Sequence, residues 1–219
     1  MKNKSLFIFD MDGVLVDTEP LYIKMNKDFL RQHNAVIADE EYNQFIGISA
    51  KKMWYYLQEK YNLPFSIDEL ISMEKQAKYD ILNETDLKPI DGIVELLDAL
   101  KKQNYKLAIA SSSMKKNIEL IISKTNLKQY FDCIVSGEDV QNGKPAPDIF
   151  LKAMHYFNEQ PENCAVVEDA KNGVLAAKAA NMFCIGFQNK NSGNQDLSLA
   201  DKIVHSISEI YQLINSSTH

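Results

Sequence analysis

From residue 88 onward the chain alternates short apolar runs with amphipathic stretches, and this alternation restricts its fold more than any other feature. The runs are KLAIAS at 106–111, CIVSG at 133–137, CAVVED at 164–169, FCIGF at 183–187 and KIVH at 202–205. Between them, residues 92–103, 115–126, 147–157 and 171–181 carry apolar side chains at helical spacing, as Ile93, Leu96, Leu97 and Leu100 do in the first. Strands separated by helices of this length form crossover units. The pattern therefore predicts an α/β protein with a doubly wound parallel sheet, helices covering both faces. A hydrophobic content of 45% over 219 residues is enough for a sizeable core.

One strand stands apart from the series. Residues 5–9 match the others in type, yet the next strand begins only at 106. The intervening residues 18–84 contain no convincing strand and several helical stretches, around 19–33, 50–61 and 66–83. They are read as a helical domain inserted after the first strand, with the core formed by residues 1–17 and 85–219. The aromatic cluster Trp54, Tyr55 and Tyr56 is expected to pack inside the insertion. The run LFIF is too short for a signal-peptide core or a membrane span, and no later stretch reaches the roughly 18 apolar residues a span needs. A cytoplasmic monomer without a membrane partner is expected. Cys133, Cys164 and Cys184 are widely spaced within or beside apolar runs and read as buried free thiols. A net charge of −6 without a dense basic stripe argues against nucleic acid as a partner. None of the four histidines has a metal-ligating neighbour at suitable spacing. Small diffusible molecules are the expected ligands.

The polar residues concentrate where such a sheet binds ligands. In a parallel sheet with right-handed crossovers the C-terminal ends of all strands line one edge. Asp10 ends the first strand, Ser111 ends KLAIAS, Lys144 follows CIVSG, and Glu168 and Asp169 end the CAVV strand. The stretch FIFDMDGVLVDTEP also gathers Asp10, Asp12 and Asp17 within eight positions. Two like charges about 4 Å apart repel by roughly 4 kcal/mol at the effective dielectric of a protein surface. A cation or a shared proton is needed to hold such a group together.

DMDGVLVDT, the Ser111 that closes LAIAS, GKPAPD and VVEDAKNG, in this order and on these elements, resemble the four signatures of the haloacid dehalogenase superfamily. The subgroup is the one with a helical cap inserted after the first signature. The resemblance covers the core domain from end to end and implies a Mg²⁺-dependent enzyme that transfers phosphoryl groups through an aspartyl-phosphate on Asp10. A phosphate monoester is a poor electrophile, and a carboxylate nucleophile divides its hydrolysis into two easier displacements. Metal ligands would then be Asp10 and Asp169 by their side chains, Asp12 by its carbonyl, and Glu168 directly or through water. Lys144 would anchor the nucleophile and a phosphate oxygen. Ser111, Ser112 and the amides beside Gly13 would hold the other oxygens. The Asp12 carboxyl would serve as general acid and base. Asp17 is expected to act as a hinge or to cap the helix near Pro20.

The inserted domain would select the substrate. Within the subgroup the chain looks most like β-phosphoglucomutases and small-sugar-phosphate phosphatases. β-Phosphoglucomutases carry a Lys just before the glycine of a cap loop and an Arg shortly after it. Here that loop reads FIGISAKK, so Gly47 matches while Ile46 and Ala50 occupy the two cationic places. Met114 and Lys115 also stand where the mutases favour Lys and Asn. Lys75 falls where the family often has a substrate-facing lysine. The reading is a phosphatase of a small phosphorylated metabolite, with a β-phosphoglucomutase-type isomerase as the alternative.

Overall fold

The computed structural model describes residues 4–46 and 48–215. The chain divides into two compact units, one running to Asp17 and resuming at Leu87, the other Thr18–Asp86.

The first unit is built on a six-stranded parallel sheet. Its strands are β1 (Leu6–Phe9), β2 (Lys106–Ser111), β3 (Cys133–Ser136), β4 (Cys164–Glu168), β5 (Phe183–Phe187) and β6 (Lys202–Val204), in the spatial order β3-β2-β1-β4-β5-β6. β1 therefore lies between β2 and β4, with Phe9 opposite both Ile109 and Val167. Strands buried on both faces need side chains that are apolar on both, which is why LFIF and CAVV read as continuous apolar runs. Leu6 and Ile8 join Ala108, Ala110, Phe150, Met154, Val174 and Ala177 in one cluster beneath α7 (Asp148–Tyr156) and α8 (Lys171–Ala179). Phe7 and Phe9 meet Tyr105 and Phe131 edge-on, at 5.1 and 6.1 Å between ring centres. The helices α5 (Ile93–Lys102), α6 (Lys115–Lys124) and α9 (Ile207–Asn215) pack on that second face. The three cysteines are free and buried.

Asparagine ends most of these helices. Asn104, Asn126, Asn158 and Asn181 all have left-handed φ, between 53° and 61°, two residues past the ends of α5, α6, α7 and α8. The residue after each returns a hydrogen bond to the last turn, as Tyr105 N does to Leu100 O at 3.0 Å and Leu127 N to Ile122 O at 2.8 Å. Asn tolerates this conformation better than any residue but Gly, so each turn reverses the chain toward the next strand.

The second unit is helical. It comprises α1 (Glu19–Gln32), a single turn α2 (Asp39–Tyr42), α3 (Ala50–Tyr61) and α4 (Ile67–Glu84). Leu30, Tyr42, Met53, Trp54, Leu57 and Leu70 form its core. Trp54 donates from Nε1 to Glu74 Oε2 at 2.6 Å, and Lys78 pairs with the same carboxylate at 2.8 Å. The aromatic cluster does not pack as a block. Trp54 is buried, whereas Tyr55 and Tyr56 are 56% and 44% exposed, because three consecutive helical residues span 200° and cannot share one face. Among the described residues no helix is long and apolar enough to cross a membrane.

Candidate active site

The register of the sheet brings Asp10, Ser111 and Glu168 to one edge. Asp10 follows Phe9 directly and is held in line by its N–H, which donates to Val167 O at 2.9 Å. Lys144 reaches this edge from the segment after β3. Its ammonium bonds Asp10 Oδ1, Glu168 Oε1 at 2.7 Å and Ala110 O at 3.0 Å, and it lies 4.9 Å from the centre of the Phe150 ring. The Lys144–Pro145 peptide is cis. The second oxygen of Glu168 accepts from Ala170 N at 2.8 Å. Gly173 on α8 makes room for this carboxylate, since a Cβ there would stand 1.7 Å from Glu168 Oε1.

Asp12 belongs to a separate hydroxyl network. Its Oδ2 accepts from Ser113 Oγ at 2.7 Å and from Ser111 Oγ at 3.4 Å, and Ser111 Oγ in turn accepts from Ser113 N at 3.1 Å. Ser113 had no role in the sequence reading, although three consecutive serines at a strand end signal more than one hydroxyl. Ser112 is exposed, its carbonyl packed against Gly137.

Gly13 makes the turn after β1, with φ at +79°. The amides beside it were expected to face a ligand. The Gly13 amide donates to Val16 O at 2.8 Å and that of Val14 to Met11 O at 3.3 Å, so these two amides close the turn. Asp17 does not cap α1, whose N-cap is Thr18. Its carboxylate is bound by the side-chain amides of Asn189 and Asn191. Lys75 is an exposed residue of α4, next to the buried Glu74. Gly47 lies outside the described residues.

Electrostatically the edge is strongly acidic. Asp10, Glu168 and Asp169 are almost fully buried, and Lys144 is the cation bonded among them. Burial raises the Asp10 carboxyl to about 7 even with Lys144 beside it, and Glu168 and Asp12 add to the rise. Asp169 is likewise raised, by burial first and then by Glu168 and Asp10. Burial alone would lower Lys144, yet Asp10 and Glu168 outweigh it and hold the ammonium above its ordinary value. Excess negative charge of this kind is the setting a hard cation relieves. Among the described residues no three carboxylate, imidazole or thiol groups form a ready metal cluster. The available donors are instead a few oxygens. Such a sparse, all-oxygen set suits Mg²⁺, which keeps several waters of its own.

Three comparisons place the chain among known proteins. The family model described as haloacid dehalogenase-like hydrolase matches residues 7–187. A phosphorylated carbohydrates phosphatase of Thermotoga maritima is 33% identical over 79% of this chain and 80% of its own length. The β-phosphoglucomutase of Bacillus subtilis is 30% identical over 93% of this chain and 90% of its own. Among solved structures, a β-phosphoglucomutase from Clostridium difficile superposes with a TM-score of 0.79 at 28% identity, covering 98% of this chain and 96% of that one.

Proposed function

The chain belongs to the haloacid dehalogenase-like hydrolase family, and from that premise we propose that it is a Mg²⁺-dependent phosphatase of a small phosphorylated metabolite, with sugar phosphates first. The observation that carries the reading is the arrangement around Asp10: a buried carboxylate gripped by Lys144, with a second carboxylate, Asp12, two residues on and held by hydroxyls. A nucleophile and a proton carrier are thus fixed independently.

In the first half-reaction an oxygen of Asp10 attacks phosphorus, and the bond to the leaving oxygen breaks as that oxygen takes the proton of Asp12. In the second, water attacks the aspartyl-phosphate. Asp12 removes its proton, and inorganic phosphate leaves with Asp10 restored. Ser113 and Ser111 orient Asp12 for both transfers. Lys144 holds Asp10 in place and offers its charge to the transferring group. We assign Glu168 chiefly to positioning Lys144, since one of its oxygens accepts from that ammonium and the other from Ala170 N. Asp10, Asp169 and the Asp12 carbonyl would hold Mg²⁺, with Glu168 contributing directly or through water. Bound there, the ion would neutralise the charge shared by carboxylates and phosphate.

The preference for sugar phosphates rests on the named activity of the Thermotoga maritima relative. Ile46 and Ala50, in place of the two cationic residues of the mutases, favour hydrolysis over retention of a bisphosphate. A phosphate-release screen over sugar phosphates, nucleotides and pyrophosphate with Mg²⁺, with glucose phosphate isomerisation followed in parallel, tests the reading. Phosphate release from hexose or pentose phosphates, lost in Asp10→Asn, is expected. Interconversion of glucose 1-phosphate and glucose 6-phosphate without net phosphate release would overturn it in favour of a mutase.

A further inference from the structure

The loop after β5, residues 188–198, reads QNKNSGNQDLS and has the composition of an open surface connection. Two of its polar side chains are nevertheless turned inward, besides the buried Leu197. Asn189 and Ser192 are only 8% and 6% exposed. Asn189 Nδ2 donates to Gly13 O at 2.9 Å, and the Ser192 hydroxyl donates to Asp169 Oδ2. The loop holds its own shape. Asn189 Oδ1 accepts from Asn191 N at 2.9 Å, Ser192 O accepts from Gln195 Nε2 at 3.0 Å, and Gln195 Oε1 accepts from Lys171 N at the start of α8 at 3.1 Å. The contact with the nucleophile turn is close. A Cβ on Gly13 would stand 2.0 Å from Asp169 Oδ2 and 2.7 Å from Ser192 Oγ. One loop thus grips both the turn that follows Asp10 and the carboxylate at the end of β4.

Building on the metal role proposed above for Asp169, we propose that Ser192 is a positioning residue for the divalent cation. Its hydroxyl, anchored through Asn189 to the Gly13 turn, fixes the orientation of the Asp169 carboxylate. The physical need is plain. Asp169 is buried beside Glu168 and close enough to Asp10 to feel its charge, and repulsion would turn an untethered carboxylate away from them. A single donor on one oxygen stops that rotation and keeps the other oxygen's direction constant before the ion arrives. Groups that orient metal ligands in this way commonly contribute 10- to 100-fold in metal affinity.

The test is direct binding of Mn²⁺, followed by electron paramagnetic resonance, to the wild type, Ser192→Ala, Asn191→Ala and Asp169→Asn, with thermal unfolding measured alongside. Asp169→Asn should lose most of the binding. Ser192→Ala should bind about 10-fold or more weakly while still folding cooperatively, its unfolding temperature lowered by no more than several degrees for the one lost hydrogen bond. Asn191→Ala perturbs the same loop without touching Asp169 and should bind as the wild type does. Wild-type affinity in Ser192→Ala together with a loss in Asp169→Asn overturns the role of Ser192 and leaves the metal reading standing. Equal binding by Asp169→Asn and the wild type overturns the metal reading itself. A loss in Asn191→Ala as large as in Ser192→Ala assigns the effect to loop integrity and also refutes the proposal. Should the alanine variant not fold, Ser192→Cys, nearly isosteric and a weak donor, decides: a several-fold loss supports the role and unchanged affinity refutes it.

Discussion

Replacing Asp10 by Asn should abolish turnover and, in the metal-free protein, raise stability in a pH-dependent way. The Asp10 carboxyl titrates near 7 in the folded chain against an ordinary value of 3.8, because burial and the neighbouring Glu168 and Asp12 disfavour its charge. Between these two values the native state holds a proton that the unfolded chain has released. Stability therefore falls as pH rises through this window, by about 1.4 kcal/mol per pH unit. The full loss is about 4 kcal/mol, complete above pH 7, and about 3 kcal/mol of it falls between pH 5 and pH 8. The attraction of Lys144 already acts in setting the folded value, so it is not subtracted again. Asn is nearly isosteric and does not titrate. Urea unfolding in EDTA should find Asp10→Asn close to the wild type near pH 4 and more stable by about 2–4 kcal/mol at pH 8. Adding Mg²⁺ should narrow the gap, since an ion at 100 times its dissociation constant stabilises the wild type by about 2.7 kcal/mol. A difference between the two proteins that stays constant from pH 5 to pH 8, or a variant less stable than the wild type at pH 8, would refute the electrostatic reasoning. Retained turnover would refute the nucleophile.

Asp12→Asn should slow hydrolysis of an alkyl phosphate by roughly 100- to 10,000-fold and that of an aryl phosphate much less, because a good leaving group needs no proton; equal losses would count against the acid role. Gly173→Ala should gain about 1 kcal/mol of helix propensity yet lose on the order of 100-fold in kcat/KM, as the new Cβ displaces Glu168 and with it Lys144; steady-state kinetics at wild-type level would sink this account. Trp54→Phe removes the indole N–H from buried Glu74 and should cost about 1–3 kcal/mol, read from the urea midpoint, whereas an unchanged midpoint would show that Lys78 alone satisfies the carboxylate.

The parts of the molecule that were legible in the sequence are those set by short-range rules. Strands buried on both faces must be apolar throughout, so β1, β2, β4 and β5 stood out as runs, and helices between them followed from the 3.6-residue period. The strand order depends on how crossovers pack, which no local pattern encodes, and the insertion of β1 between β2 and β4 emerged only in three dimensions. α2 is a single turn and α9 follows the last strand, and neither was anticipated. At the site, Asp10, Ser111, Lys144 and Glu168 were visible because each ends or follows a strand. Ser113, Gly173 and Ser192 were not, because their roles are contacts with a side chain distant in sequence: Asp12, Glu168 and Asp169 respectively. The dense Asn, Ser and Gln content of residues 188–195 was the available signal for the last of these. Tyr55 and Tyr56 misled because adjacency in sequence was read as adjacency in packing.

The turn after β1 has a further consequence, for exchange of parts. Val16 bridges Pro89 in antiparallel fashion, and Ile90 N donates to Leu15 O at 2.9 Å. The chain thus departs from the sheet and returns to it side by side, with the two ends of the insertion already joined. The entropy cost of closing the loop across these ends grows slowly with its length, each doubling adding about 0.6 kcal/mol. Between a few residues and the present insertion, the length of what lies between Asp17 and Leu87 therefore weighs on the folding of the sheet by only about 2 kcal/mol. A chain in which a few glycines join those two residues should keep the cooperative unfolding of the six-stranded unit, and unrelated helical segments of very different length should be graftable at the same seam.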